Sequence, residues 1–401
     1  MKVFLIAGEP SGDRLGGALM AGLRQFQPDV RSDGIGGAEM AGQGLRSLFP
    51  MEELSVMGLA EVLPRYFALK RRIAQAAEAI LAAAPDVVVT IDSPDFCLRV
   101  LKIARAARPD LPTVHYVAPS VWAWRPGRAA RMAPLVDHVL ALLPFEPPFM
   151  QAAGMSCDFV GHPVVAEPLA TPEEVRAFRV AHGIGEAPLI LTLPGSRRGE
   201  VERLAPRFGP ALARVIARHP QARVVVPAVA AQAAQLRGLI ADWPGAPVLL
   251  DAATTPPEAK RAAFRAADVA LAASGTVSLE LAANGVPMVI AYDFHLLTRA
   301  LIRRMARIES ATLVNLVSET RAIPEFLFGD CRPDLIAPAL LRLLDESGAR
   351  DAQRAAMDLT MARLGRDGPP PGLRAARSVL DFLARGRRGA AGPNLDREAS
   401  R

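Results

Sequence analysis

The sequence predicts an α/β protein with two doubly wound domains, each built on a parallel sheet that helices cover on both faces. Three observations support this fold class. Short apolar runs alternate with Ala-, Leu- and Arg-rich helical stretches along the 401 residues, and continuous apolar strands are typical of buried parallel sheets. The alternation restarts after residue 165. Between the two series, residues 159–174 are rich in proline, which predicts a linker.

The individual elements follow from the same pattern. Strands are expected in the first half at VFLIA, VVVTI, TVHYV and VLALL (3–7, 87–91, 113–117, 139–143), with helices over 13–26 and 94–107. In the second half the strands are 189–193, 222–227, 247–250, 269–273 and 286–291. Helices are predicted to fill 333–385.

These elements give four regions. We expect a first domain over 1–165, a second over 166–360, helices over 361–385 that pack back toward the first domain, and a disordered tail over 386–401.

Composition excludes several classes of protein. The net charge is +6, but the basic residues are spread along the chain and no nucleic-acid-binding signature is present, so no nucleic-acid partner is expected. Three widely spaced cysteines do not form a disulfide framework, and no spacing fits a metal site. The first apolar run is too short for a signal peptide, and no run approaches the roughly 18 residues of a spanning helix. A cytoplasmic location is therefore predicted.

The loop after the first strand is a candidate binding loop. It reads Gly8-Glu9-Pro10-Ser11-Gly12-Asp13, and its glycine spacing fits neither a dinucleotide fingerprint nor a P-loop. Glu9, Ser11 and Gly12 lie where ligands bind in such sheets. The structural alternative is that Ser11 or Asp13 caps the next helix.

IDSPDF (91–96) contains the candidate general base. Ser93 and Pro94 suit the N-cap and first position of a helix, and Asp95 then lies in its first turn. Asp92 has no such local role and stands at the carboxyl end of a strand, free to accept a proton. The alternative is a loop hydrogen bond to the backbone.

Two loops in the second half have the features of anion sites. Gly195 and Ser196 offer backbone amides at a predicted helix start, and Arg197 adds a bidentate donor. Ser274, Gly275 and Thr276 open another helix after a strand. Glu280 lies one turn beyond Thr276 on the same face, where it could accept hydrogen bonds from ribose. Together these loops predict a nucleoside-diphosphate site.

Residues 115–128, HYVAPSVWAWRPGR, hold two of the chain's three tryptophans. Ser120, Trp122, Trp124, Arg125 and Arg128 follow a predicted strand, so we expect them to line a crevice between the domains. The alternative is that both tryptophans pack in a core. Two such domains facing a central crevice form the arrangement of a GT-B glycosyltransferase.

The motifs AGEPSGD, GIGGAEM, IDSPDF, HYVAPSVWAWRPGR, LLPFE, FVGHPV, LPGSRRGEV and SGTVSLE occur in the order found in lipid-A-disaccharide synthases. The chain resembles that family over residues 1–385. The resemblance implies an inverting GT-B enzyme of Gram-negative lipid A biosynthesis that uses no metal or cofactor. Such enzymes transfer 2,3-diacylglucosamine from its UDP derivative to 2,3-diacylglucosamine 1-phosphate (lipid X).

The resemblance also implies roles for individual residues. Asp92 becomes the base for the acceptor 6-hydroxyl, Glu9 a crevice residue needed for activity, and Arg197 a donor-phosphate contact. Asn315 matches the asparagine of the family's "PN" loop, although Val314 stands where proline is usual. Pro10 and Ala118 also depart from the family pattern. Arg125 and Arg128 are candidates for the acceptor 1-phosphate.

The acylated substrates imply contact with the cytoplasmic surface of the inner membrane. Two stretches that mix apolar and basic residues, 62–73 and 294–308, suit an anionic interface. Either could instead pack on a core with solvated arginines. A homo-oligomer is left open, and two other functions remain as alternatives: another UDP-sugar enzyme such as a 2-epimerase, and a non-catalytic binding protein.

Overall fold

The computed structural model of the chain describes residues 1–54, 59–125, 127–294 and 310–390, without the side chains of 59–66 and 387–390. The chain forms two compact units. One comprises Met1–Pro163 together with the residues from Asp367 onward, and the other comprises Val164–Arg366.

The described strands, β1 to β12, are Lys2–Ala7, Arg31–Ile35, Val87–Ile91, Thr113–Tyr116, His138–Ala141, Ser156–Phe159, Leu189–Leu193, Arg223–Ala228, Val248–Asp251, Val269–Ala272, Met288–Tyr292 and Glu325–Leu327. The described helices, α1 to α15, are Pro10–Phe26, Ala38–Gly42, Leu59–Ala83, Pro94–Ala107, Gly127–Met132, Pro147–Gln151, Pro172–Ala181, Arg198–Arg218, Ala230–Leu239, Pro257–Ala266, Val277–Ala283, Leu313–Ser318, Pro333–Asp345, Ser347–Arg363 and Pro371–Ala390.

Each unit is built on one parallel sheet of six strands, which confirms the predicted fold class. The first sheet has the order β2-β1-β3-β4-β5-β6, and the second has β12-β11-β10-β7-β8-β9. The strands β1, β3 and β7 are almost wholly buried, as their continuous apolar sequences predict. The bounds of β3, β7 and α4 match the prediction residue for residue.

The edge strands β6 and β12 were not predicted. Both are short, and their side chains are mostly half-buried. Since they lack a continuous apolar run, their sequences do not differ enough from loops. Strand β6 extends into the first residue of the predicted linker, and α7 begins within its last residues.

The chain order places a switch point in each sheet. In the first, β1 lies between β2 and β3; in the second, β7 lies between β10 and β8. At such points neighbouring connections leave in opposite directions and open a crevice at the carboxyl ends of the strands. The loops after β1 and β3, and after β7 and β10, are therefore the candidate binding loops.

No helix among the described residues is long and apolar enough to cross a membrane. The last helix, α15, continues to Ala390, five residues into the segment that we predicted to be a disordered tail. Most of the basic amphipathic stretch 294–308 lies outside the described residues.

Candidate active site

Glu9 and Asp92 lie at the switch point of the first sheet. Ala7 at the end of β1 pairs with Ile91 at the end of β3, so the two acidic residues follow neighbouring strands at the same sheet edge. The amide of Asp92 donates to the carbonyl of Tyr116 at 2.9 Å, which extends the β3–β4 pairing by one residue. Asp92 is thereby fixed at the position that the sequence predicts for a general base.

The turn that holds Asp92 is strained. Asp92 and Ser93 have φ values of 51° and 40°, in the left-handed region that costs L-residues about 1–2 kcal/mol each. Ser93 occupies the N-cap position of α4, as predicted, but its hydroxyl makes no capping hydrogen bond. Consecutive strained residues cluster at functional sites, where surrounding structure holds them in place.

A cavity of about 970 Å³ opens beside this turn. It brings together four of the predicted site residues, namely Glu9, Asp92, Ser120 and Arg128. Most of the other lining residues are apolar or cationic, among them Leu54, Leu69, Ile73, Phe96, Ile103, Lys70, Arg99 and Lys102, while Ser93, Asp95 and His115 add polar groups. Sites for small molecules commonly have such a volume and a mainly apolar wall, and this one suits an amphiphile that carries negative charge.

Burial raises the pKa of the Asp92 carboxyl, while the Ser93 amide and the Arg128 guanidinium act in the opposite direction. The cavity also contains His115, whose pKa falls to about 4 because of burial and the nearby Arg128 charge. His115 is therefore neutral near pH 7, and its Nδ1 lies 2.8 Å from the Thr90 hydroxyl. The raised pKa makes Asp92 a stronger proton acceptor than an ordinary surface aspartate.

Neither Ser11 nor Asp13, the two capping residues considered from the sequence, is the N-cap of the helix that follows β1. Glu9 is the N-cap residue of α1, and its carbonyl accepts from the Asp13 amide at 2.9 Å. The carboxylate of Asp13 instead accepts from the amides of Gly37, Glu39 and Met40 at the start of α2. Ser11 is exposed in the first turn of α1, and Gly12 is buried there.

In the tryptophan loop, residues 115–128, Ser120 and Arg128 line the cavity but the two tryptophans do not. Trp122 donates through Nε1 to Glu146 at 3.2 Å and packs edge-on against Phe145. Trp124 is 43% exposed, and the Arg125 guanidinium lies over its ring at 4.2 Å. None of Trp122, Trp124 and Arg125 is among the residues that line the cavity. The alternative that both tryptophans pack in a core is therefore wrong, because Trp122 is half-buried and Trp124 is exposed. Their place in a crevice between the domains stays a prediction.

Glu146 is the anchor of that loop, and the sequence prediction missed it. It is 4% exposed, and its Oε2 accepts from the amides of Leu142 and Leu143. Burial raises its pKa to about 7 against the opposing effect of these hydrogen bonds. Its position directly after the apolar run LLPF could have indicated a buried carboxylate, because an acidic residue beside such a run needs hydrogen-bond partners.

The predicted anion loops both lie at the switch point of the second sheet. Leu193 at the end of β7 pairs with Ala272 at the end of β10, and the amide of Ala273 donates to the carbonyl of Leu193. The loops that contain Gly195 to Arg197 and Ser274 to Thr276 therefore follow neighbouring strands. The structure places these two predicted loops at one edge of one sheet.

Glu200 changes the expected chemistry of the first loop. Its Oε2 accepts from the amides of Ser196 and Arg197 at 3.1 and 3.2 Å, so the donors that we expected to face an anion already have an internal acceptor. Its Oε1 accepts from the hydroxyl of Tyr292 at 2.8 Å. Gly195 has φ of 111°, and a Cβ there would lie 2.5 Å from the Glu200 Cβ. The Arg197 side chain is 68% exposed and lies 3.6 Å from Glu200.

In the second loop Ser274 also has an internal partner, as does Glu280 in the helix that follows. Ser274 donates to the carbonyl of Ala311 at 2.9 Å, and Lys260 donates to Glu280 at 3.0 Å. Thr276 is the N-cap residue of α11, without a side-chain capping bond. Gly275, with φ of 152°, has open space where a Cβ would stand.

Asn315, which the resemblance assigns to the donor site, is buried in α12, and both polar atoms of its side chain bind the main chain. Its side-chain nitrogen donates to the carbonyl of Ile323, and its side-chain oxygen accepts from the amide of Ile323. Asn315 therefore closes the loop 316–322 onto itself.

Among the described residues there is no group of three or more His, Cys, Asp or Glu side chains that could hold a metal ion.

Comparison with known proteins shows the family of the chain. A family model described as lipid-A-disaccharide synthetase matches residues 3–367. Lipid-A-disaccharide synthase of Ruegeria pomeroyi is 63% identical over 387 residues, which cover 96% of each chain. The enzyme of the same name from Rhodospirillum centenum is 49% identical over 96% of this chain and 95% of its own.

Solved structures share the fold at low sequence identity. UDP-GlcNAc 2-epimerase of Neisseria meningitidis, solved with UDP-GlcNAc, has a TM-score of 0.64 and 12% identity over 96% of this chain and all of its own. MurG of Acinetobacter baumannii has a TM-score of 0.53 and 15% identity over 96% and 99%. The fold is that of GT-B UDP-sugar enzymes, and the family match covers most of the chain. The chain belongs to the lipid-A-disaccharide synthetase family.

Proposed function

We propose that the protein transfers 2,3-diacylglucosamine from UDP-2,3-diacylglucosamine to the 6-hydroxyl of lipid X. The products are the β-1,6-linked disaccharide 1-phosphate and UDP. The observation that carries this proposal is Asp92, a strained and partly buried carboxylate that lines a cavity of about 970 Å³ whose wall is mostly apolar and cationic. Membership of the family supports the same substrates.

In the proposed reaction Asp92 accepts the proton of the acceptor 6-hydroxyl. As the proton leaves, the hydroxyl oxygen bonds to C1 of the donor sugar from the face opposite the diphosphate. The bond between C1 and the phosphate oxygen breaks, and its electron pair leaves with UDP. One carboxylate suffices for such an inversion, whereas hydrolysis of a glycoside needs two.

The unit that holds β7 to β12 would bind the donor. Its switch-point loops carry Arg197, Gly275 and Thr276, and the exposed Arg197 guanidinium can meet a diphosphate without displacing any buried group. Binding of the diphosphate to the Ser196 amide would require Glu200 to move, because Glu200 occupies that donor. Glu280 would leave Lys260 to accept from ribose.

The protein would act at the cytoplasmic face of the inner membrane, where the acylated substrates reside. In the stretch 62–73, Phe67 is 82% exposed, whereas Ile73 is buried and lines the cavity. This stretch therefore connects an exposed apolar ring to the cavity wall. Arg72 in the same stretch forms an ion pair with Glu53, so its charge would contribute less to binding an anionic membrane surface.

The test is incubation of the purified protein with UDP-2,3-diacylglucosamine and lipid X. We expect disaccharide 1-phosphate and UDP in equal amounts. Asp92→Asn should lower kcat by about 10²–10⁴-fold, which is the usual contribution of a positioned general base. The matched control is Asp110→Asn, an exposed aspartate outside the cavity lining, which should retain wild-type activity.

Formation of an epimerised UDP-sugar without disaccharide would contradict the proposal and favour the 2-epimerase alternative. Near-normal turnover by Asp92→Asn would leave the activity in place but remove Asp92 as its base.

A further inference from the structure

The cavity beside Asp92 has a cationic side that the proposed mechanism does not use. Lys70 on α3 and Arg99 and Lys102 on α4 line it, and all three side chains are exposed. Among the described residues none of the three has a hydrogen-bond or ion-pair partner. This differs from the neighbouring cations Arg72 and Arg105, which bind Glu53 and Asp137 at 2.6 Å.

The spacing on α4 orders these groups along one face. Asp95, Arg99 and Lys102 lie four and three residues apart, so they share the cavity side of the helix. Although Asp95 lies one turn before Arg99, no salt bridge joins these two described residues. At a rise of 1.5 Å per residue, Arg99 and Lys102 stand about 8 and 12 Å along the axis from Pro94, next to Asp92.

Apolar side chains surround the cations. Ile103 follows Lys102, Leu69 precedes Lys70, and Phe96 and Ile73 complete the wall. A cavity wall of apolar residues next to unpaired cations suits a ligand with an acyl chain and a phosphate, because the chain can contact the apolar residues and the phosphate can bind the cations. A simple soluble anion would not need the apolar part of this wall.

We propose that Arg99 and Lys102, assisted by Lys70, bind the phosphate of the acceptor lipid, while the apolar residues around them hold the root of an acyl chain. The inference rests on the proposed function, since it places the acceptor with its 6-hydroxyl at Asp92. In that sugar C1 and C5 are both bonded to the ring oxygen, so the 1-phosphate and the 6-hydroxyl lie near the same edge of the ring and one cavity can receive both. Arg99 and Lys102 line the same cavity as Asp92, whereas Arg125 lies over Trp124 outside the cavity lining.

The experiment compares two acceptors in neutral detergent micelles: lipid X and the same diacylglucosamine without phosphate. Arg99→Gln and Lys102→Gln should each raise KM for lipid X about tenfold, which corresponds to about 1.4 kcal/mol per charged contact. KM for the phosphate-free acceptor and for the UDP donor should stay unchanged. The matched control is Arg71→Gln on α3, which removes an exposed charge that does not line the cavity.

The outcomes separate the two proposals. If the wild-type protein makes no disaccharide, the proposed function fails. If it makes disaccharide but both variants keep the wild-type KM for lipid X, or lose both acceptors equally, only the phosphate site fails. A membrane role is the remaining possibility: weaker binding of the variants to phosphatidylglycerol vesicles without substrate, at unchanged KM in detergent, would overturn the assignment to the acceptor.

Discussion

At the residue scale, Asp92 is controlled by opposing influences. Burial raises the pKa of its carboxyl, and the hydrogen bond from the Ser93 amide and the charge of Arg128 lower it. A general base works only when deprotonated, so the acidic limb of kcat/KM reports this pKa in the free enzyme. The sequence indicated both residues, but it gave no sign that the charge of one tunes the other.

We expect Arg128→Gln to move the acidic limb of the kcat/KM profile to higher pH. Without the guanidinium the carboxylate loses a stabilising charge, so the pKa of Asp92 rises further. Arg128→Lys keeps the charge and should leave the limb close to its wild-type position. The measurement is kcat/KM for lipid X against pH for all three proteins. A lower plateau with an unmoved limb would mean that Arg128 contacts substrate without influencing Asp92.

At the element scale, the sequence predicted most strands because buried parallel strands are continuous apolar runs. The same reasoning placed Glu9 and Asp92 directly after two strands, and the structure shows that these strands are neighbours whose carboxyl ends share one sheet edge. It did not predict the hydrogen bonds of side chains that fold back on their own loops. Glu200 takes the Ser196 amide, and Asn315 takes the main chain of Ile323. Hydrophobic periodicity contains no information on such hydrogen bonds.

The turn between β3 and α4 gives an element-scale prediction. A Cβ on Gly8 would lie 2.5 Å from the Ser93 Oγ and 2.9 Å from its Cβ. We expect Gly8→Ala to displace Ser93 and with it Asp92, lowering kcat by about 10²-fold, as a shift near 1 Å at a reacting group does. Gly42→Ala, where a Cβ meets nothing within 4 Å, should have little effect.

A second substitution tests the cause of that loss. Ser93→Gly removes both atoms that the new Cβ would meet and tolerates the φ of 40° at this position. The double variant Gly8→Ala/Ser93→Gly should recover most of kcat. If the double variant is as slow as Gly8→Ala, steric displacement of Ser93 is not the reason for the loss.

At the scale of the whole molecule, the chain returns at its end to the unit where it began. Helix α15 packs along α1, and the two helices approach through glycines. A Cβ on Gly372 would lie 2.6 Å from the carbonyl oxygen of Ala18, and one on Gly22 would lie 2.6 Å from the carbonyl of Gly372. Farther along α15, Ser378 lies at hydrogen-bond distance, 2.8 Å, from His138 of β5, and Phe382 stacks on the His138 ring. Residues from both ends of the chain therefore share one core.

This closure gives a stability prediction. Gly372→Ala should force α15 away from α1 and lower the free energy of unfolding by about 1–3 kcal/mol, the usual cost of overpacking. Gly386→Ala is the matched control on the same helix, because it meets nothing within 4 Å and should stabilise by about 0.5–1 kcal/mol. Thermal unfolding gives the sign, and amide hydrogen exchange should show faster opening across α15 in Gly372→Ala alone. Equal exchange in the two variants would mean that the contact between α1 and α15 does not hold the end of the chain in place.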